Sequence, residues 1–127
     1  MPKKILVVDD EPNIIKVLES RLSHSGYDII TAVDGKTCLK KAKDEKPDLI
    51  LLDIILPGLN GFEVCKHLKK DKETKDIPII MLTSLAGEKD LSKGLEEGAS
   101  CFITKPFNPV DLLYEIKTAM DRQAPGV

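Results

Sequence analysis

The chain has 127 residues, with 19 basic against 21 acidic side chains and a formal net charge of -2, a size that suits one domain with one core. Because the charges are interleaved, no basic stripe of the kind that tracks a phosphate backbone is present, and direct nucleic-acid binding is not expected. The apolar runs fall far short of the roughly 18 residues a membrane span needs, and the stretch after Met1-Pro2-Lys3-Lys4 is too short for a signal peptide, so the expected location is the cytoplasm, with no membrane partner.

Short β-rich runs alternate with helical periodicity from end to end. Lys4-Ile5-Leu6-Val7-Val8 reads as a strand that runs into Asp9 and Asp10. Pro12 suits a first helical position, and Ile15, Leu18 and Leu22 repeat at helical spacing until Gly26. A second strand covers Asp28 to Ala32, followed by a helix with Leu39 and Ala42 inward that ends by Pro47. Leu49-Ile50-Leu51-Leu52 forms a third strand closed by Asp53, and Gly61 opens a helix carrying Phe62, Cys65 and Leu68. Lys69 to Asp76 is a polar connection into a strand over Ile77 to Leu82, which ends in Thr83. A helix over about Glu88 to Glu97 stops at Gly98, with Gly94 inside it as a weak point of about 1 kcal/mol relative to Ala. The last strand, Ser100 to Thr104, leads to Lys105-Pro106; then come Asn108 as N-cap, Pro109, and a helix with Val110, Leu113, Ile116 and Met120 inward.

Five βα units with short connections predict an α/β domain: a parallel sheet covered by five helices, on both faces. The domain is expected over residues 1–122, with 123–127 a tail or the start of a linker. Cys38, Cys65 and Cys101 are odd in number and lie in apolar surroundings, which favours buried reduced thiols over a disulfide framework or a zinc site. His24 and His67 are the only histidines, so no histidine-based metal cluster can form. The Lys-rich faces Lys36 to Lys46 and Lys66 to Lys75 read as solvated surface, with charge complementarity to an acidic partner as the alternative.

In an open parallel sheet, ligands bind outside the carboxyl ends of the strands. Asp9, Asp10, Asp53, Thr83 and Lys105 all map to that rim. Taken singly, each is an ordinary turn, cap or solvated residue; taken together at four strand ends they ask for one explanation. Two unit charges ~4 Å apart repel by some 4 kcal/mol at an effective dielectric near 20, so three carboxylates need cations to answer them. Lys105 supplies one positive charge and a divalent ion two. Hard oxygen ligands without His or Cys favour magnesium, which usually keeps one or two carboxylates, several waters and a phosphate oxygen. Carboxylates are nucleophiles toward phosphorus, and Asp53, alone on its strand, is the natural acceptor. Thr83 can donate its hydroxyl to a phosphoryl oxygen and Lys105 can neutralise another.

The segments Val7-Val8-Asp9-Asp10-Glu11, Leu51-Leu52-Asp53, Pro57-Gly58 with Gly61, Leu82-Thr83-Ser84, Gly98-Ala99 and Lys105-Pro106-Phe107 resemble the receiver domains of two-component response regulators, notably the stand-alone chemotaxis type. The resemblance covers nearly the whole chain. It implies a doubly wound, flavodoxin-like sheet of strand order 2-1-3-4-5. It also implies a signalling phosphoprotein rather than an enzyme, which promotes its own phosphoryl transfer and slowly loses the group. Asp53 would accept the phosphoryl group from a histidine kinase or histidine phosphotransfer protein. Magnesium would be held by Asp10, Asp53 and the backbone carbonyl of Ile55, with Asp9 assisting through water. Lys105 would bind the phosphoryl group and precede a cis bond to Pro106; Thr83, with Ser84, would respond to it while Phe102 rotates into the space Thr83 leaves. The face made by the fourth helix, fifth strand and fifth helix would then change, and the monomer could dimerise through it on phosphorylation. The downstream target or fused output domain is left open.

Several positions depart from the family pattern. Phe102 stands where many relatives carry Tyr, and Leu56 where Met is common. Ile55 and Leu85 are apolar where faster relatives often carry polar groups, and are expected to keep attacking water away. Ile14 and Val17 widen the apolar arc of the first helix beyond its core stripe, marking with Pro106 a docking strip or simply a core margin. Three other classes compete with this reading. An aspartyl-nucleophile phosphatase usually needs a second Asp two residues on, where this chain has Ile55. A nucleotide or flavin module needs a Gly-rich or Ser/Thr-rich loop after the first strand, where this chain has Asp-Asp-Glu-Pro. A phosphorylation-independent interaction domain would tend to lack parts of the acid set.

Overall fold

The structure is a computed structural model that describes residues 2–83, 98–99, 101–105 and 107–122, without the side chains of Thr83, Cys101 and Arg122. Five strands, β1 (Lys4–Val8), β2 (Asp28–Ala32), β3 (Leu49–Leu52), β4 (Ile79–Thr83) and β5 (Cys101–Thr104), pair in parallel in the order 2-1-3-4-5. The central strands read as unbroken apolar runs because both of their faces are covered. Leu6, Val8, Ile50, Leu52, Ile79 and Met81 pack with Cys38, Ala42, Phe62, Val64, Cys65 and Leu68 on one side. Ile5, Val7, Leu49, Leu51, Ile80 and Leu82 pack with Ile15, Leu18, Leu22, Leu112 and Ile116 on the other. The edge strand β2 is less covered, and accordingly starts with the exposed Asp28.

Local chemistry sets the helices. Helix α1 (Pro12–His24) begins at Pro12, whose missing N–H is one the helix start cannot use anyway. It stops at Ser25 and Gly26, and the φ of +94° at Gly26 is one that an L side chain rarely adopts. Helix α2 (Gly35–Glu45) is capped by the Asp34 carboxylate, which accepts the Thr37 N–H at 2.8 Å and is thereby held below the usual carboxylate range. Helix α3 (Gly61–Lys70) carries a reciprocal cap: Asn60 Oδ1 accepts the Glu63 N–H at 3.0 Å while Glu63 Oε1 accepts the Asn60 N–H at 3.5 Å. The C-terminal helix (Pro109–Arg122) starts with the Val110 N–H on Asn108 Oδ1 at 2.8 Å. These are four of the five expected helices; the one over about 88–97, with Gly94, lies outside the described residues.

The structure corrects the reading in a few places. Val110 is 72% exposed, and the C-terminal helix buries Leu112, Ile116 and Ala119 instead, with Leu113 and Met120 partly covered. Strand β4 begins at Ile79 rather than Ile77, since Pro78 has no N–H for the ladder and contributes only its carbonyl, to the Ile50 N–H at 3.0 Å. Two lysines of the supposedly solvated faces are committed inward. Lys41 Nζ donates to the Thr31 carbonyl on the open edge of β2. Lys69 Nζ donates to the carbonyls of Lys75 and Ile77 at 3.1 and 2.8 Å, and burial pulls its ammonium below the usual lysine range. Thr74, inside the polar connection, is buried because its hydroxyl closes α3 on the Leu68 carbonyl at 2.6 Å. Cys38 and Cys65 are buried as expected, and desolvation pushes the Cys38 thiol up to about 12. Cys101 Sγ is outside the described atoms.

Candidate functional site

Strands β1 and β3 are neighbours, with Val8 paired to Leu52, so the next residue of each, Asp9 and Asp53, stands at the same edge of the sheet. Both remain in the ladder through their own amides: the Asp9 N–H bonds the Ala32 carbonyl at 3.2 Å and the Asp53 N–H the Val8 carbonyl at 3.0 Å. The carboxylates are thus held by the sheet rather than by mobile loops. Asp9 and Asp53 are 1% and 5% exposed, whereas Asp10 is open to solvent. One carboxylate oxygen from each of Asp9, Asp10 and Asp53 lies within 4.8 Å of the others.

Buried carboxylates need donors. Asp9 Oδ1 accepts the Glu11 N–H at 2.9 Å and Oδ2 accepts Lys105 Nζ at 2.7 Å. Asp53 Oδ1 accepts the Ile55 N–H at 3.3 Å and Oδ2 the same Lys105 Nζ at 3.2 Å. One ammonium therefore bridges two acids, crossing from the end of β5 to the ends of β1 and β3. Burial pushes the Asp53 carboxyl above the usual carboxylate range and the Asp9 charge adds to it, with Lys105 working against both. For Lys105 burial acts downward, but its hydrogen bond to Asp9 and the charges of Asp53 and Asp9 outweigh it and hold the ammonium above the usual lysine range.

Among the described residues the site leaves an excess of negative charge: three acids face a single lysine. A close, all-oxygen donor set without imidazole or thiolate is the chemistry a hard divalent cation takes, and among the described residues no other acid, His or Cys group is so arranged. Thr83 closes β4 beside this edge, its backbone opposite Thr104 of β5; its side chain, with Ser84, Leu85 and Pro106, lies outside the described atoms. Phe102 is partly buried against the core. Ile55, two residues past Asp53, is 55% exposed. On α1, Ile14 leans on the core while Val17 stands 49% exposed, so the two do not form one equally open strip. Sequence reasoning missed the amide donors of Glu11 and Ile55 and the closeness of Gly61 to the Asp53 backbone; the only signal for the last was a glycine at the first position of a helix.

A doubly wound α/β domain with a lysine-bridged acidic rim is the arrangement of a receiver-type phosphoacceptor. Residues 5–117 match the response regulator receiver domain, and the chain belongs to that family. Receiver domains are the signalling phosphoacceptors of two-component systems. The chain is 52% identical over 122 residues to the alkaline phosphatase synthesis transcriptional regulatory protein PhoP of Bacillus subtilis, a match over 96% of this chain and 50% of that protein. It therefore spans about half the length of that relative. Among solved structures, the CheY-like receiver domain protein of Methanospirillum hungatei aligns with a TM-score of 0.91 at 34% identity, over 97% of each chain. The receiver domain of the sensor histidine kinase PA1611 of Pseudomonas aeruginosa, solved with a magnesium ion in its active-site cleft, aligns with a TM-score of 0.88 at 28% identity, over 95% of this chain and 99% of that one.

Proposed function

We propose that this chain is a phosphorylation-dependent switch in which Asp53 accepts a phosphoryl group from a histidine kinase or histidine phosphotransfer protein. A carboxylate oxygen of Asp53 forms a bond to phosphorus as the phosphorus–nitrogen bond of the donor histidine breaks. The observation that carries the reading is the buried Asp53 carboxylate, held 3.2 Å from Lys105 Nζ and within 4.8 Å of two further acids. Lys105 is suited to neutralise a phosphoryl oxygen, at the cost of its contact with Asp53. Asp10, Asp53 and the Ile55 carbonyl would hold magnesium, with Asp9 assisting through water; the ion, when bound, supplies charge neutralisation to the transferring group. In the related PA1611 domain a magnesium ion does occupy the active-site cleft.

Thr83 and Ser84 are assigned to sensing the phosphoryl group, Phe102 to following Thr83, and the face that includes β5 and the C-terminal helix to relaying the change, by dimerisation or by a downstream partner. Residues 1–122 would form the receiver unit, working in the cytoplasm. We assign Val17, with Ile14 and Pro106, to docking the phosphodonor protein; Val17→Ser leaving transfer from such a protein as fast as before would remove that assignment.

Incubation with a small phosphodonor and magnesium, followed by intact mass, tests the central claim. The native chain should gain one phosphoryl group and Asp53→Asn none; a gain that survives the substitution refutes Asp53 as acceptor.

A further inference from the structure

We infer that Gly61 is a positioning residue for the acceptor: the missing side chain lets α3 seat directly on the backbone of Asp53 and Ile54. This rests on the reading of Asp53 as phosphoacceptor. A Cβ at Gly61 would stand 2.3 Å from the Asp53 carbonyl oxygen, 2.6 Å from Ile54 Cα and 3.0 Å from the Asp53 carbonyl carbon. Ordinary non-bonded contacts of carbon lie near 3.5 Å, and the obstructing atoms are backbone, which cannot rotate aside. Gly61 is not among the glycines with positive φ, so the demand is for space rather than for conformation. Gly58 and Gly26 are the opposite case, with φ of +77° and +94° and nothing within 4 Å of a Cβ.

Neither partner in this contact is free to retreat. Helix α3 is fixed by its reciprocal cap and by burial of Phe62, Val64, Cys65 and Leu68. Asp53 is fixed by its N–H bond to the Val8 carbonyl. Between them the Gly61 N–H reaches back to the Ile54 carbonyl at 2.7 Å and closes the loop that contains Ile55. An added methyl must therefore push the Asp53–Ile54 peptide by roughly 1 Å, and a displacement of that size at a reacting group costs on the order of a hundredfold in rate. The carboxylate keeps its charge and its neighbours but loses its aim.

The test compares Gly61→Ala with Gly26→Ala, which carries its own backbone strain in the turn after α1, at the opposite edge of the sheet. Phosphoryl gain from a small phosphodonor is measured per folded molecule, with sucrose added where needed and the folded fraction read by circular dichroism. The Asp53 amide and carboxyl chemical shifts are recorded in metal-free protein. Gly61→Ala should fold, accept the group about a hundredfold more slowly and shift the Asp53 signals; Gly26→Ala should do neither. A Gly61→Ala rate within threefold of native, unmoved Asp53 signals, equal slowing in Gly26→Ala, or failure of Gly61→Ala to fold even in sucrose would each overturn the inference. Absence of phosphoryl gain in the native chain would instead refute the acceptor reading, and the Asp53 shifts would still decide whether Gly61 positions that side chain.

Discussion

Asp53 sits where the sheet would rather have no charge. Burial raises its carboxyl in the folded chain, so between the ordinary carboxylate value of about 3.9 and its folded value the native state holds more proton than the unfolded state. Stability then falls as pH rises through that window. Asp53→Asn removes the effect: urea unfolding in chelator should show no gain over native at strongly acidic pH and a gain that grows to a plateau at neutral pH. A variant less stable than native at pH 7 would contradict this. The same crowding was legible in the sequence, because an acid closing Leu49-Ile50-Leu51-Leu52 cannot be well solvated. What the sequence could not disclose is how each oxygen is satisfied, since the Glu11 and Ile55 amides become donors only through local turns. Two residues past Asp53, the half-exposed Ile55 is proposed, with Leu85, to shield the phosphoryl group from water. An acyl phosphate lost no faster from Ile55→Asn, Leu85→Glu than from the native chain would remove that role.

Elements whose burial pattern is simple are legible in the sequence. In α1, Ile15, Leu18 and Leu22 make one stripe, and the structure buries those three. The C-terminal helix offers apolar residues at 110, 112, 113, 114, 116, 119 and 120, enough for two overlapping stripes, and periodicity alone favoured the one that contains Val110. Packing against β1, β3 and α1 selected the stripe through Leu112, Ile116 and Ala119. The two choices predict different thermodynamics: Leu112→Ala should cost about 2–5 kcal/mol by opening a cavity, while Val110→Ser should stay within about 0.5 kcal/mol of native. Equal costs in urea unfolding would mean that the helix is rotated. Lys69 was hard to read for another reason. Nothing in a run of lysines marks the one whose stem lies across Gly98, where a Cβ would meet Lys69 Cγ at 2.8 Å.

Across the whole molecule, the alternation of strands and helices carried the architecture, while the strand order came from the family resemblance. Since Asp9 and Asp53 end two of the three inner strands, binding there couples to global unfolding. Magnesium at a hundred times its dissociation constant should add about 2.7 kcal/mol to the unfolding free energy, and Asp53→Asn should lose most of that increment; a magnesium-independent melting profile would argue against the ion. The ladder bonds of Asp9 and Asp53 carry a further consequence. Neighbouring strands run about 4.8 Å apart in any sheet, and these acids end adjacent strands in register. Their separation is therefore a property of the fold's own metric, inherited from backbone pairing rather than tuned by side-chain choice. Charge can be conserved without conserving reach: a glutamate at either position would overshoot by one carbon–carbon bond, about 1.5 Å. The shortest acid is the one this ruler admits.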